Sequence, residues 1–126
     1  MLNHKLSRKA QLFLLGALLG VAIFLLVYGT APLNVANDAF CRGGYIEKDI
    51  QQHYAGWLFY KRSAIGWPLG VTDAVNYPGG VSVAYTDSIP LLAALCRPLA
   101  AALGGTFQYF GWFTLVCFAL QGGFGA

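Results

Sequence analysis

Two apolar segments without a charged residue bracket this chain and restrict it to a membrane class of fold. The first runs from residue 11 to 29 and the second from residue 106 to 126. A helix of about 20 residues, rising about 1.5 Å per residue, matches the roughly 30 Å hydrocarbon core of a bilayer. Only 10% of the residues are charged, against about 25% in soluble domains. The pattern predicts an all-α membrane protein with two transmembrane helices.

The basic residues at the start of the chain predict its orientation. Lys5, Arg8 and Lys9 precede the first apolar segment, and cytoplasmic flanks are enriched in Lys and Arg. We therefore expect residues 1–10 in the cytoplasm and the next segment outside. A cleaved signal peptide is the alternative interpretation, but the apolar segment exceeds the typical length of about 7–15 residues and a second apolar segment follows.

A long polar loop separates the two predicted spans. Residues 30–87 hold all five acidic residues of the chain, and they far exceed the usual length of a connection. We expect an ordered extracytoplasmic element here. Residues 88–103 are apolar but carry Arg97 and Pro98 near their middle. A central arginine is costly inside a bilayer, so this segment is predicted to be a juxtamembrane helix, with a short membrane helix as the alternative.

Within the loop, residues 45–62 have the periodicity of an amphipathic helix. At about 100° per residue, one arc collects the apolar side chains of Ile46, Ile50, Tyr54, Trp57 and Leu58. The opposite arc centres on Asp49 and includes Gln52, His53 and Tyr60 around Gly56. The glycine is predicted to leave a gap through which a ligand approaches the backbone. Such a helix could present Asp49 and His53 to a substrate at the bilayer surface.

Other classes of site find little support in the sequence. The cations do not cluster with stacking aromatics, so no nucleic-acid partner is expected. A single Asp and a single His do not make a metal site on their own, and no glycine-rich phosphate motif is present. The polar arc of residues 45–62 also fits an ordinary solvated helix face.

Several linked motifs resemble a known group of proteins. They are Asp49–Trp57, Trp67–Gly70, Tyr77-Pro78, Tyr85–Ala93 and Phe107–Gly111. Together they resemble the start of an uncharacterised family of bacterial polytopic membrane proteins that is similar to the GT-C glycosyltransferases. The resemblance implies the N-terminal portion of a longer, multi-pass protein of the bacterial inner membrane. It also implies transfer of a sugar from a polyprenyl-phosphate-linked donor on the extracytoplasmic side.

The resemblance also implies roles for individual residues. GT-C enzymes carry an essential acidic residue in the first outer loop, and Asp49 is at the matching position. Asp49 would deprotonate or orient the acceptor hydroxyl, or hold a divalent cation against the donor phosphate. His53 would position Asp49 or contact phosphate.

The remaining predicted site residues would bind the substrate. Lys48 and Arg62, with Arg42 as a third cation, would offset the phosphate charge, and Gln52 and Tyr60 would complete the binding surface. The expected partners are membrane lipid and a lipid-linked sugar donor. The alternative hypothesis is a non-catalytic polytopic protein, flippase-like or an assembly subunit, whose outer loop binds a lipid or a partner protein. A cavity beside the polar face of the loop helix would favour the enzyme.

Overall fold

The computed structural model describes residues 7–43, 48–64, 66–86 and 88–126, and it is mainly helical, as predicted. The described residues form α1 (Arg8–Tyr28), α2 (Ala39–Arg42), α3 (Lys48–Arg62), α4 (Pro90–Leu103) and α5 (Phe110–Gly125). Strands β1 (Val71–Thr72) and β2 (Val81–Ser82) pair in antiparallel fashion, with Val71 opposite Ser82. Short 3₁₀ turns lie at Ala31–Leu33 and Val83–Tyr85.

The chain divides into two compact units. One, the helical pair, comprises Met1–Asn34 and Gly111–Ala126, and the other, the loop unit, comprises Val35–Phe110. The loop unit thus contains α2, α3, both strands and α4. Residues 45–47 of the predicted loop helix lie outside the described residues, and α3 ends at Arg62, where the predicted helix ends.

Helix α1 corresponds to the first predicted span. The hydroxyl of Ser7 accepts a hydrogen bond from the backbone N–H of Ala10 at 3.3 Å and so caps the helix N-terminus. Gly29, at a φ of 69°, ends the helix. Among the described residues α1 is the one helix that is long and apolar enough to cross a membrane. A signal sequence or a core helix of a soluble protein has the same length and composition.

Helix α5 is shorter than the predicted second span. It has 16 residues, which extend about 24 Å at the helical rise of about 1.5 Å per residue. That length falls short of the roughly 20 residues that a spanning helix needs. The structure therefore shows an apolar helix within residues 106–126, and its role as a second transmembrane helix stays a prediction.

Glycines bring α1 and α5 into direct backbone contact within the helical pair. A Cβ atom added to Gly16 would overlap the carbonyl oxygen of Gly122, and one added to Gly122 would overlap the carbonyl oxygen of Gly16. Gly20 is packed just as closely against the carbonyl of Phe118. Small residues that allow such an approach are typical of helix interfaces in membranes. The Gly-x-x-x-Gly pair in α1 is therefore a packing surface.

The core of the loop unit forms around aromatic residues of α3. Trp57 is fully buried, and its indole N–H donates a hydrogen bond of 2.8 Å to the carbonyl oxygen of Phe107. The ring of Tyr109 packs edge-on against it with 5.0 Å between centroids. Tyr54 is also buried, as the apolar arc predicted. This core fixes the rotation of α3 and so decides which of its side chains reach a cavity.

Helix α4 has one buried and one exposed face. Arg97 is 6% exposed, donates a hydrogen bond to the carbonyl oxygen of Ser63, and places its guanidinium carbon 4.5 Å from the ring centroid of Tyr60. It is thus held inside the loop unit. The opposite face is a stripe of exposed leucines four residues apart, which are Leu91, Leu95, Leu99 and Leu103. The position of this helix at a membrane surface stays a prediction.

A candidate anion-binding cavity

The loop unit contains a cavity of about 480 Å³, here called the basic cavity, whose lining includes three basic side chains and one acidic side chain. Its charged lining residues are Asp38, Arg42, Lys61 and Arg62. The uncharged ones are Cys41, Gln51, Tyr54, Ala55, Leu58, Gly105 and Thr106. The volume lies in the range of about 300–1,000 Å³ that is typical of small-molecule sites. Because three cations face a single carboxylate, the cavity favours an anion.

Asp38 organises one side of the cavity wall. Its Oδ2 atom accepts hydrogen bonds from Arg42 Nε at 2.7 Å and from the phenol of Tyr54 at 2.8 Å. Burial raises the pKa of the Asp38 carboxyl, but the hydrogen bonds from Arg42 and Tyr54 and the charge of Arg42 outweigh it, so the pKa lies below its ordinary value. Such a carboxylate is a poor proton acceptor at neutral pH. Asp38 therefore holds Arg42 and Tyr54 in place.

Two cations at the end of α3 form the other side. Lys61 is half-buried and donates a hydrogen bond of 3.0 Å to the carbonyl oxygen of Gly105. Burial, and then the neighbouring charge of Arg62, lower the pKa of Lys61. Arg62 is exposed and has no hydrogen bond or ion pair to any other described residue. Its guanidinium is thus free to bind an anion in a bidentate manner.

The cavity and the predicted catalytic residue lie on opposite faces of α3. With Asp49 at 0°, the cavity-lining residues of α3 fall between about 120° and 240° at about 100° per residue. Asp49 is exposed and does not belong to the lining of the cavity as described. A helix with its side chains is about 10–12 Å thick. A small anion in the cavity therefore does not reach Asp49.

The other predicted site residues are divided between solvent and the interior. Arg62 lines the cavity, whereas Gln52 is exposed. Tyr60 is buried with its ring beneath Arg97, away from the exposed polar arc, and its role in binding substrate stays a prediction. The Nδ1 atom of His53 is buried and has no hydrogen-bond partner among the described residues. The side chain of Lys48 lies outside the described part of the structure.

Gly56 does not leave a gap for a ligand. A Cβ atom on this residue would lie 2.6 Å from the carbonyl oxygen of Thr86. The chain itself therefore fills the space that the helical pattern left open, and the prediction of a ligand gap is wrong. The glycine allows the segment around Thr86 to pack directly on α3.

Asp38, Tyr54 and Lys61 were missed as site residues. Asp38 and Arg42 are four residues apart, a spacing that brings opposite charges together on a helix, and this was the one local signal available. The helical periodicity places Tyr54 on the apolar arc, and its burial confirms this prediction. Its hydroxyl nevertheless reaches Asp38 across 16 positions of sequence. Periodicity shows where a ring is buried, but not where its hydroxyl points.

The cavity is poorly suited to a divalent cation. Asp38 is the one carboxylate in its described lining and is already engaged by Arg42 and Tyr54. Three cationic side chains would repel a metal ion at this place. No group of three or more His, Cys, Asp or Glu side chains comes together among the described residues. A metal held by Asp49 stays a prediction.

Comparison with known proteins places most of the chain in one family. A family model described as a domain of unknown function (DUF6311) matches residues 17–126. The match covers most of α1, all of the loop unit and α5. No curated protein and no solved structure matches the chain.

Proposed function

We propose that this chain, which belongs to the DUF6311 family of domains of unknown function, binds the anionic head group of a polyprenyl-phosphate-linked sugar donor as part of an integral-membrane glycosyltransferase. The observation that carries the proposal is the basic cavity of the loop unit, where Arg42, Lys61 and Arg62 line a space of about 480 Å³. Guanidinium and ammonium groups are the side chains that proteins use for phosphate. The resemblance to GT-C enzymes supports the sugar donor.

The proposed topology places this cavity at the outer surface of the bacterial inner membrane. Helix α1 and the apolar segment of residues 106–126 are proposed as transmembrane helices, with the N-terminus in the cytoplasm. The loop unit then lies on the extracytoplasmic side. The exposed leucine stripe of α4 supports contact with lipid, because an apolar helix face of this kind lies favourably at the bilayer surface.

The position of Asp49 gives the proposed enzyme two separate surfaces on α3. Arg62 and Lys61 would hold the donor phosphate, while Asp49 would act on an acceptor at the other face, as the resemblance implies. The same position also favours the second hypothesis, a non-catalytic lipid-binding protein, because Asp49 lies away from the cavity. The two hypotheses share the cavity and differ in the role of Asp49.

Substitutions on the two faces of α3 should separate binding from transfer. We expect Arg62→Gln to weaken binding of a polyprenyl phosphate about tenfold, because a hydrogen bond to a charged group contributes about 1.5–3 kcal/mol. We expect Asp49→Asn to leave that affinity unchanged and to abolish sugar transfer. Affinity is measured by titration in detergent micelles, and transfer is measured with membranes that contain the protein.

Arg8→Gln is the matched control, because it removes the same charge from a residue outside the loop unit. Unchanged binding by Arg62→Gln would refute the assignment of the cavity. Transfer retained by Asp49→Asn would remove Asp49 from the mechanism. Binding that is lost in Arg62→Gln, with no sugar transfer by the unaltered protein, would support the non-catalytic lipid-binding protein instead.

The affinity for a polyprenyl phosphate should depend on pH through the protonation of Lys61. Its lowered pKa, below the ordinary 10.5, means that it loses its proton, and the cavity loses a positive charge, at a lower pH than an ordinary lysine would. The affinity for the phosphate should therefore be at its maximum at neutral pH, where Lys61 is protonated, and should fall as the pH rises through the pKa of Lys61. The titration is made above about pH 8, where a phosphate monoester is already fully ionised because its second pKa is about 6.

Lys61→Arg should remove this decline, because a guanidinium stays protonated throughout the range. Arg42 does not contribute to the decline, since the hydrogen bond and the charge of Asp38 raise its pKa further. Burial and the hydrogen bond to Asp38 raise the pKa of Tyr54, so its phenol stays neutral. The same decline in Lys61→Arg would show that another group is responsible.

A further inference from the structure

A second cavity of the loop unit lies beside the β1–β2 pair and has a different chemistry. It has a volume of about 160 Å³ and is lined by Ala64, Gly66, Trp67, Pro68, Val71 and Asp73. It shares no described lining residue with the basic cavity. Its volume equals that of about five water molecules at roughly 30 Å³ each. The cavity therefore accommodates one small ring and is too small for the drug-sized ligands of typical pockets.

The wall of this cavity combines an uncovered aromatic ring with an unpaired carboxylate. Trp67 is 88% exposed, although it is a large apolar side chain in an otherwise ordered turn. Asp73 is exposed and has no hydrogen bond or ion pair to any other described residue. Both groups thus retain their full capacity to bind a ligand.

Residues 66–73, which carry Trp67 and Asp73, contact the rest of the loop unit through Thr72 and Gly70. Thr72 is fully buried, and its hydroxyl lies 2.5 Å from that of Ser63. The carbonyl oxygen of Ser63 in turn accepts a hydrogen bond from Arg97. On the other side, the backbone N–H of Val83 donates a hydrogen bond of 2.6 Å to the carbonyl oxygen of Gly70. The strand β1 that follows Trp67 and precedes Asp73 is therefore anchored to the rest of the loop unit at Gly70 and Thr72.

We propose that this cavity binds a single pyranose ring of a carbohydrate. One face of a pyranose is built of C–H groups and packs on the negative face of an indole ring. Its equatorial hydroxyls are donors for a carboxylate, which accepts hydrogen bonds on both oxygens. Trp67 supplies the first contact and Asp73 the second, and the volume fits one ring. The site is independent of phosphate binding and goes beyond the proposed function, since it recognises sugar on a surface apart from the basic cavity.

A quaternary ammonium group and the bilayer surface are two other possible partners of Trp67, and each fits the pair of Trp67 and Asp73 less well than a sugar ring does. A quaternary ammonium group binds in cages of several aromatic rings, and Trp67 is the one aromatic residue in the described lining. The bilayer surface would take up an exposed tryptophan, but it would leave the unpaired carboxylate of Asp73 without a partner. A sugar ring satisfies both side chains at once.

Saturation-transfer NMR on the whole chain in detergent micelles tests the site. The probes are the methyl glycosides of glucose, mannose, galactose and N-acetylglucosamine. We expect at least one of them to bind with saturation concentrated on its ring C–H protons. Trp67→Ala should weaken that binding at least tenfold and Asp73→Asn several-fold. Trp67→Phe should restore most of the affinity, because the aromatic face returns.

Tyr77→Ala is the matched control, because Tyr77 is 85% exposed but lies outside the described lining of this cavity. The Tyr77→Ala variant should bind the glycoside with the same affinity as the unaltered chain. Each of three results would overturn the proposal: no binding of any glycoside, equal loss in Tyr77→Ala and Trp67→Ala, or preferential binding of choline. Quenching of Trp67 by brominated lipids in vesicles of phosphatidylethanolamine and phosphatidylglycerol would also overturn it and assign the ring to the bilayer.

Discussion

Replacing Trp57 by alanine is expected to unfold the loop unit. The side chain is fully buried, packs against Phe107 and Tyr109, and donates the indole hydrogen bond to the carbonyl oxygen of Phe107. Removing a buried tryptophan costs about 3–5 kcal/mol, which is a large part of the typical stability of about 5–15 kcal/mol for a whole domain. The carbonyl oxygen of Phe107 also loses a partner. Limited proteolysis of residues 35–110 in detergent should show cleavage that the unaltered chain resists.

Trp67→Ala is the matched control for this experiment, because it makes the same substitution at a side chain that is 88% exposed. It should leave the proteolysis pattern unchanged. Trp57→Phe should fall between the two, since it keeps most of the ring and loses the hydrogen bond. If Trp57→Ala and Trp67→Ala were equally resistant to protease, Trp57 would not be central to the fold of the loop unit.

Introducing leucine at Gly122 is expected to separate α1 from α5. Even a single Cβ atom on Gly122 would overlap the carbonyl oxygen of Gly16, and backbone atoms cannot move aside as a flexible side chain can. Overpacking a core typically costs about 1–3 kcal/mol, and a clash with backbone belongs at or above the upper end. Spin labels on the exposed positions Leu15 and Leu120 should report a longer and broader distance distribution.

Gly125→Leu provides the control, because nothing lies within 4 Å of a Cβ atom at that position. It adds the same apolar bulk to the same helix and should leave the distance distribution unchanged. An unchanged distribution in Gly122→Leu would mean that the contact between Gly16 and Gly122 does not hold the helical pair together.

The elements of the fold could be predicted where the pattern is local. The apolar segment that became α1 and the end of α3 at Arg62 follow from hydrophobicity and helical periodicity. The burial of Trp57 and Tyr54 follows from the same periodicity. Length was predicted less well, since α5 forms over 16 residues of a 21-residue apolar segment.

The candidate site depended on contacts that a local pattern does not contain. The helical periodicity places Tyr60 on the polar arc, because its angle around the helix matches that of Asp49. In the structure Arg97 covers its ring from a helix that begins 30 residues later. In the same way, Thr86 occupies the space beside Gly56 that the helical pattern leaves open. Helical periodicity therefore identified an apolar and a polar face, whereas tertiary packing decided which polar residues border a cavity.

The leucine stripe of α4 has a consequence for the direction in which the basic cavity opens. Arg97 is bonded to Ser63 and stacked on Tyr60, so α4 cannot turn about its own axis without breaking both contacts. The leucine stripe and the C-terminal end of α3, where Tyr60 lies, are accordingly held in one orientation relative to each other. An apolar surface that bound the leucine stripe would therefore also determine the orientation of the basic cavity.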